Sequence, residues 1–96
     1  MFDLPMTTAK NRRDYTLFRK YLIKSGFFML QESIYCKIAM NPVAGKLIID
    51  GVKKNAPPNG WVQVLKVTEK QYSKMEFIVG EGRYEVLNSD ERLIIL

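Results

Sequence analysis

The sequence predicts one small α+β domain over residues 1–96, in which short strands alternate with two amphipathic helices. Two segments carry apolar residues at helical spacing and are bounded by capping or stop residues. The other apolar runs are short and separated by turn-forming residues. A domain of 96 residues buries only a modest share of its surface, so we expect it to associate with a partner.

The N-terminus predicts a strand that ends at an acidic residue. Residues 1–4 form the last part of this strand, because Asp3 is a poor strand residue and Pro5 cannot continue a ladder. A loop over residues 5–10 then leads to the first helix. Asp3 is therefore expected at the mouth of a sheet.

The first helix is predicted over residues 11–24. Its core-facing side chains recur at i, i+3 and i+7, and they are Tyr15, Phe18 and Leu22. Gly26 follows as a C-terminal stop. The opposite arc, at about 100° per residue, contains Arg12, Arg13, Thr16, Arg19, Lys20 and Lys24.

Residues 27–40 predict two strands joined at the polar residues 31–33. The second helix follows, with Asn41 as its N-cap and Pro42 at its first position, and it runs to about Asn55. Its apolar face contains Ala44, Ile48 and Val52, with Leu47 beside them.

The C-terminal third predicts shorter elements. After a loop over residues 56–60, residues 61–67 have apolar side chains on both faces, which suits a strand at the centre of a sheet. The sequence from Thr68 to Gln71 has the form of a capping box and opens a short helix to about Met75. The last two strand candidates flank the turn-prone residues 80–82, and they are residues 76–79 and 92–96.

The order strand, helix, strand, strand, helix, strand, with appended C-terminal strands, is the ferredoxin-like βαββαβ pattern. In this pattern both helices cover one face of an antiparallel sheet. The other face needs burial, and a second copy in a homodimer would provide it.

Composition excludes several kinds of chemistry. The chain has no histidine, which excludes Ser-His-Asp and Cys-His nucleophilic systems and histidine-ligated zinc. Cys36 is the single cysteine, so no intramolecular disulfide forms, and it is expected to pack as a small apolar side chain. No apolar stretch reaches the length of a membrane span, and the first residues lack a signal-peptide layout. We expect a cytoplasmic protein without a membrane partner.

Charge points to nucleic acid. Fifteen Lys and Arg against ten Asp and Glu give a net charge of +5, and the basic arc of the first helix could neutralise several phosphates. The alternative is an ordinary solvated helix face.

Asp3 has two open interpretations. It could hold Mg²⁺ together with waters and substrate phosphate oxygens, or it could cap and order the turn before Pro5. Residues 31–33 could assist a metal or phosphate, although serving the turn is the favoured role. Tyr35 and Trp61 could stack on bases, although burial in the core or a dimer interface is the favoured interpretation.

Several segments, taken in order, resemble one known family. They are FDLP at residues 2–5, the first helix with Tyr15, Phe18 to Lys20 and Leu22, Gly26 with Phe27, QESIY at 31–35, TEKQY at 68–72 and NSDER at 88–92. Together they resemble the CRISPR-associated protein Cas-two family, in the version found in type II systems. The resemblance covers nearly the whole chain, and its specificity comes from the order and spacing of the motifs.

The resemblance implies a ferredoxin-like homodimer that acts in CRISPR adaptation. The dimer would be clasped by Cas-one integrase dimers and would hold protospacer duplex for insertion into CRISPR-array DNA. Its basic helix residues would hold the DNA backbone without reading sequence, and here they are Arg12, Arg13, Arg19 and Lys20. A C-terminal extension, residues 69–96, would contact the dimer partner or the integrase.

The resemblance also implies a metal site. Asp3 matches the family's strand-end aspartate, which is assigned to Mg²⁺ binding and catalysis in an endonuclease acting on single-stranded RNA or double-stranded DNA. That activity varies among members and is generally not what integration needs. A toxin-like ribonuclease of similar fold is a third alternative, against which the type II-like C-terminal segments argue.

The resemblance implies a truncated first strand. Members of the family carry several apolar residues before the Phe2-Asp3 pair, whereas this chain has only Met1 there. Two explanations stay open: the numbered chain omits residues of the natural protein, or it starts at an internal methionine.

Overall fold

The computed structural model describes residues 1–80 and 92–96, and these form an α+β domain of the ferredoxin-like kind. In chain order the elements are β1 (Phe2–Asp3), α1 (Ala9–Lys24), β2 (Phe28–Gln31), β3 (Ile34–Ala39), α2 (Pro42–Asn55), β4 (Trp61–Val62), β5 (Leu65–Thr68), α3 (Glu69–Ser73) and β6 (Arg92–Ile95). The predicted turn at residues 80–82 and the motif at residues 88–92 lie largely outside the described residues. Within the described ranges, no helix combines the length and apolar character needed to cross a membrane.

Helix α1 confirms the predicted stripe and stop. The stripe residues pack into the core, and they are Tyr15, Phe18 and Leu22. The helix begins at Ala9 rather than at residue 11, because the Thr8 hydroxyl accepts a hydrogen bond from the Asn11 amide at 3.0 Å and so caps an earlier turn. Gly26 follows with a φ of +94°, a backbone conformation that glycine adopts without steric cost.

The caps of α2 and α3 are also those that the sequence predicts. The Asn41 carboxamide oxygen accepts a hydrogen bond from the Ala44 amide at 2.8 Å. In α3 the capping box is complete, since the Gln71 amide donates to the Thr68 hydroxyl and the Thr68 amide donates to the Gln71 side chain, each at 2.9 Å. Helix α3 ends at Ser73, earlier than predicted.

The strands are antiparallel and ordered β2-β3-β6-β5, with β1 paired to β4. The β2–β3 connection lies at the predicted polar residues 31–33, where Ser33 takes a φ of +62°. Ser33 therefore has a turn role, which was the favoured interpretation of this trio.

Strands β6 and β1 lie end to end along β3. Leu96, directly after β6, exchanges backbone hydrogen bonds of 2.8 and 3.0 Å with Tyr35. Further along the same strand, the Phe2 amide donates to the Ser33 carbonyl oxygen at 3.1 Å. The position next to β3 is thus filled first by the C-terminal strand and then by the N-terminal one.

The prediction of one central strand over residues 61–67 is wrong. The segment is divided into β4, which pairs with β1, and β5, which pairs with β6 and ends the four-stranded order. The division falls where one partner strand gives way to the other, and there Met1 and Gln63 exchange backbone hydrogen bonds of 2.9 and 2.8 Å. Val64 and Leu65 are exposed, because no described strand covers the outer side of this segment.

The prediction of a strand at residues 76–79 is also wrong. Its apolar side chains are exposed, and they are Phe77, Ile78 and Val79. An extended segment becomes a strand by hydrogen bonding to a neighbour, and among the described residues this segment pairs with none.

The sheet separates two apolar clusters. On the side of α1 and α2, which we call the α1/α2 face, the core contains Phe2, Leu4, Phe18, Leu22, Phe27, Tyr35, Ala39, Val52, Ile94 and Leu96. On the opposite side, which we call the α3 face, a smaller cluster contains Cys36, Tyr72, Leu93 and Ile95. The two predicted helices therefore share one face, as expected, and α3 covers part of the other.

Candidate nucleic-acid interface

The outward side of α1 carries the basic residues that the sequence singles out. All four are exposed, and they are Arg12, Arg13, Arg19 and Lys20. Phe18, on the inner side of the same helix, is only 1% exposed and fixes α1 against the sheet. Since each residue of a helix adds about 1.5 Å, Arg13 and Lys20 are separated by about 10 Å along the helix axis. The structure thus presents these cations on one rigid element.

Two of the arginines are held by hydrogen bonds. The Arg19 Nε donates to the Tyr35 hydroxyl at 3.0 Å, and the Arg12 Nη1 donates to the Met6 carbonyl oxygen at 3.2 Å. A guanidinium has five N–H donors, so each of these arginines keeps N–H groups that can donate to further partners. An open depression of about 410 Å³ lies beside Arg19 and reaches the β2–β3 turn at Ser33.

Asp3 is exposed at the end of β1, and the neighbouring Phe2 is buried. The Phe2 ring packs edge-on against Phe18 at 5.3 Å between centroids and stacks on Tyr35 at 5.7 Å. Because successive strand residues point to opposite faces, the Asp3 side chain lies on the α3 face. The structure therefore does not bring Asp3 together with the basic side of α1.

The two aromatic residues considered for base stacking differ in environment. Tyr35 is 1% exposed and belongs to the core, as expected. Trp61 is 68% exposed and so does not lie in the core, while the other location predicted for it, a dimer interface, stays a prediction. Trp61 pairs with Asp3 across the β1–β4 ladder, and the two side chains therefore share the α3 face.

The Asp3 carboxylate is a chemically suitable, exposed ligand for Mg²⁺. This ion usually keeps several waters and takes one or two protein carboxylates, with phosphate oxygens completing its shell. In the part of the chain that the structure describes, no cluster of three or more His, Cys, Asp or Glu side chains is assembled for a metal. Asp3 would hold the ion, and the ion would neutralise phosphate charge and activate water.

Cys36 is packed away from solvent, as predicted. Burial, with a smaller contribution from the nearby Glu69 carboxylate, raises the pKa of the Cys36 thiol to about 12. The thiol is therefore protonated at neutral pH and is a poor nucleophile in the folded chain.

Sequence comparison places these features in a family. The family model for CRISPR associated protein Cas2 matches residues 1–75. The chain belongs to the Cas2 family. That match includes the strand-end aspartate and the whole of the basic helix α1, and it confirms the resemblance that the short motifs indicate.

Curated relatives match along nearly the full chain. A "CRISPR-associated endoribonuclease Cas2" of Treponema denticola is 56% identical over 95 residues, which are 99% of this chain and 94% of that protein. Proteins of the same name from Streptococcus mutans strain NN2025 and Ligilactobacillus salivarius are each 43% identical over 96 residues. These matches cover all of this chain and 90% and 95% of those proteins, respectively.

The exposed indole is the feature that sequence reasoning missed. Trp61 follows Gly60 at the start of a run with apolar residues on both faces, which favoured a buried strand. Its side chain instead points to the α3 face, where the described residues do not cover this end of the sheet. Apolar residues on both faces of a segment do not show which face is covered, so the sequence carried no signal for this exposure.

Proposed function

We propose that this Cas2 protein is a dimeric, DNA-binding scaffold of CRISPR adaptation. In this role it binds the backbone of a protospacer duplex, associates with Cas-one integrase dimers and supports insertion of the spacer into CRISPR-array DNA. The observation that carries the proposal is the exposed row of cations on α1, on a helix anchored by buried aromatic and aliphatic side chains.

The electrostatics of α1 support binding without sequence readout. Arginine and lysine side chains on a solvent-facing helix contact phosphates, which position a protein on a duplex but carry no base information. The hydrogen bonds of Arg12 and Arg19 reduce the side-chain entropy lost when the duplex binds. The net charge of +5 adds a favourable long-range attraction.

The α3 face supports association of two copies. Apolar side chains there remain substantially exposed around a groove of about 210 Å³, and they include Leu65, Met75 and Phe77. Exposed contiguous apolar surface on a small domain marks an interaction site. In such a dimer each copy would carry its α1 helix on the outer side, away from the contact between the two sheets.

Duplex binding is tested by labelled-DNA anisotropy across a range of salt concentrations. A variant with Arg12, Arg13 and Lys20 changed to Gln is compared with a control with Lys46, Lys53 and Lys54 changed to Gln. The control removes the same charge from exposed positions on α2. Since each phosphate contact contributes about 0.9 to the salt slope, the α1 variant should lower that slope by about 2 to 3. If both variants lower the salt slope equally, net charge alone accounts for duplex binding, and α1 is not the DNA interface.

The adaptation role is tested by spacer integration with the reconstituted integrase. The scaffold proposal expects Asp3→Ala to integrate normally and the α1 variant to fail. If Asp3→Ala assembles and binds duplex but does not integrate, the carboxylate belongs to the mechanism and the scaffold proposal is wrong.

A second candidate function is Mg²⁺-dependent endonuclease activity at Asp3. It is favoured by the exposed carboxylate and by the endoribonuclease name of the curated relatives. The test is cleavage of single-stranded RNA and double-stranded DNA with and without Mg²⁺, by wild type, Asp3→Asn and the control Asp50→Asn on α2. Loss of cleavage in Asp3→Asn alone supports the activity, and equal cleavage by all three proteins refutes it.

A further inference from the structure

The Tyr35 hydroxyl is a buried polar group that bonds to a surface cation. Tyr35 is 1% exposed, and its ring stacks on Phe2 at 5.7 Å between centroids. Its hydroxyl accepts a hydrogen bond from the Arg19 Nε at 3.0 Å. Phenylalanine would fill nearly the same volume, so packing of the ring does not require the hydroxyl. What the hydroxyl adds to this position is its bond to Arg19.

The hydrogen bond orients the Arg19 guanidinium. Because the Tyr35 ring is packed in the core on β3, its hydroxyl is a fixed acceptor for a side chain that is otherwise exposed. The Nε donates to Tyr35, which leaves both Nη groups free at the far end of the planar fork. Two neighbouring Nη groups match two oxygens of one phosphate.

The oriented guanidinium borders the open depression of about 410 Å³ between α1 and the β2–β3 turn. Met29 forms part of its floor, because Met29 pairs with Tyr35 across the β2–β3 ladder and the two side chains share a face of the sheet. Met29 is 44% exposed, so this part of the face is left uncovered by the described residues. The depression is large enough to admit a phosphate group and open enough for that group to belong to a polymer.

We propose that Tyr35 is a positioning residue that directs Arg19 at one backbone phosphate in this depression. The inference rests on the proposed duplex binding and specifies one contact within it. Arg19 touches the phosphate, and Tyr35 acts through Arg19. Since the bond already exists in the free protein, Arg19 loses less side-chain freedom on binding than an unanchored arginine would.

The cations of α1 are therefore unequal. Arg12 and Arg19 are seven residues apart, which places them on the same side of the helix and about 10 Å apart along its axis. Arg13 and Lys20 have the same spacing but lie about 100° further round. Arg19 and Lys20 are both exposed and carry the same charge. Net charge alone predicts equal contributions from these two, whereas positioning predicts a larger one from Arg19.

Glu32 places a carboxylate on the border of the same depression. A phosphate bound there is repelled by this carboxylate. Glu32→Gln should therefore tighten duplex binding more than Glu76→Gln, which removes the same charge from an exposed position elsewhere. Equal tightening by both variants would mean that no phosphate enters the depression, and it would overturn the proposal.

The direct test compares Tyr35→Phe with Tyr21→Phe by anisotropy of the labelled duplex. Tyr21 is the matched control, because its half-buried hydroxyl lies on α1 against Gly51 of α2. Losing the preorganisation of one side chain should weaken binding of Tyr35→Phe about three- to tenfold. The salt slope should stay the same, because no charge is removed. If Tyr35→Phe binds like wild type, the proposal is wrong.

A double-mutant cycle shows whether Tyr35 acts through Arg19. Arg19→Gln should weaken binding about tenfold, because it removes hydrogen bonds to a charged group, and Lys20→Gln only about twofold. In the Arg19→Gln background, Tyr35→Phe should have no further effect on affinity. A further loss as large as in wild type would mean that the hydroxyl acts through the fold, which contradicts positioning. Arg19→Lys should restore the salt slope but not the affinity, because lysine keeps the charge without the fork.

A measurement without nucleic acid tests the anchor alone. The Arg19 Nε–H should exchange slowly with solvent in wild type and rapidly in Tyr35→Phe, as measured by NMR of the free protein. Rapid exchange in both would overturn the proposal, since the side chain would not be held.

The inference and the proposed function fail in different ways. The α1 variant used to test duplex binding leaves Arg19 and Tyr35 unchanged. If wild type does not bind duplex, the proposed function fails and this inference fails with it. If wild type binds duplex through α1 but Arg19→Gln costs no more affinity than Lys20→Gln, the inference alone is wrong.

Discussion

The two faces of the same sheet differ in how completely they are covered. On the α1/α2 face the core side chains are almost fully enclosed, as the 0% exposure of Leu22 illustrates. On the α3 face, among residues 1–80 and 92–96, a helix of five residues covers Cys36 and Leu93, and Trp61 is 68% exposed. The comparison teaches that, among the described residues, apolar packing is concentrated on the α1/α2 face.

The largest effect should come from the enclosed face. Phe18→Ala removes a ring that packs against Phe2 and Leu22, and we expect a loss of about 3 to 5 kcal/mol in the free energy of unfolding. The control is Leu17→Ala, one position earlier on the same helix and 57% exposed, for which we expect less than about 1 kcal/mol. Denaturant unfolding measures both. Similar losses would contradict the assignment of Phe18 to the enclosed side of α1.

An intermediate effect should come from the tight passage at Gly60. Gly60→Ala meets both a positive φ and the Asp3 carbonyl oxygen, so we expect about 2 to 3 kcal/mol of destabilisation and a changed Trp61 emission. Gly80→Ala is the control, because it has a φ of +95° but no described atom within 4 Å of the added Cβ. It should cost about 1 kcal/mol and leave the emission unchanged. If both variants lose the same free energy of unfolding, the positive φ and not the close approach to Asp3 accounts for the loss at Gly60.

The smallest effect should come from loosening the cover of the α3 face. Thr68→Ala removes the N-cap of α3, which contributes about 1 kcal/mol, so opening of α3 over Cys36 should become about fivefold more frequent. The rate at which a thiol reagent labels Cys36 under native conditions measures this opening. The control is Thr16→Ala on α1, an exposed threonine that caps no helix. A labelling rate unaffected by Thr68→Ala would show that α3 does not control access to the thiol.

Local chemistry made the helices predictable. Asn41 with Pro42, the Thr68 capping box and Gly26 each act through neighbours in sequence, and all three are found where expected. The apolar periodicity of α1 also identified its buried side, because apolar residues that recur at the helical repeat all lie on one side of the helix. These signals need no knowledge of the rest of the fold.

Long-range pairing was not predictable. Residues 61–67 divide into two strands where their pairing partner changes from β1 to β6. No residue within the segment encodes the place of that change. The exposure of Trp61 is also a long-range property, since it depends on which segments pack over the α3 face. For the candidate site, the sequence singled out Asp3 and the cations of α1, whose functional roles stay predictions, but it could not place them on opposite sides of the sheet.

The end-to-end arrangement of β6 and β1 also constrains how the chain folds during synthesis. Strand β6 lies between β3 and β5, yet Arg92 to Ile95 are translated after every other strand of this sheet. A nascent chain still held in the ribosomal exit tunnel at this point has α1, α2 and the β2–β3 hairpin but lacks an inner strand of its sheet. Because contacts between distant segments form slowly, the sheet should close only after residues 92–95 have left the exit tunnel, and until then its unpaired edges are open to chaperones or to other chains.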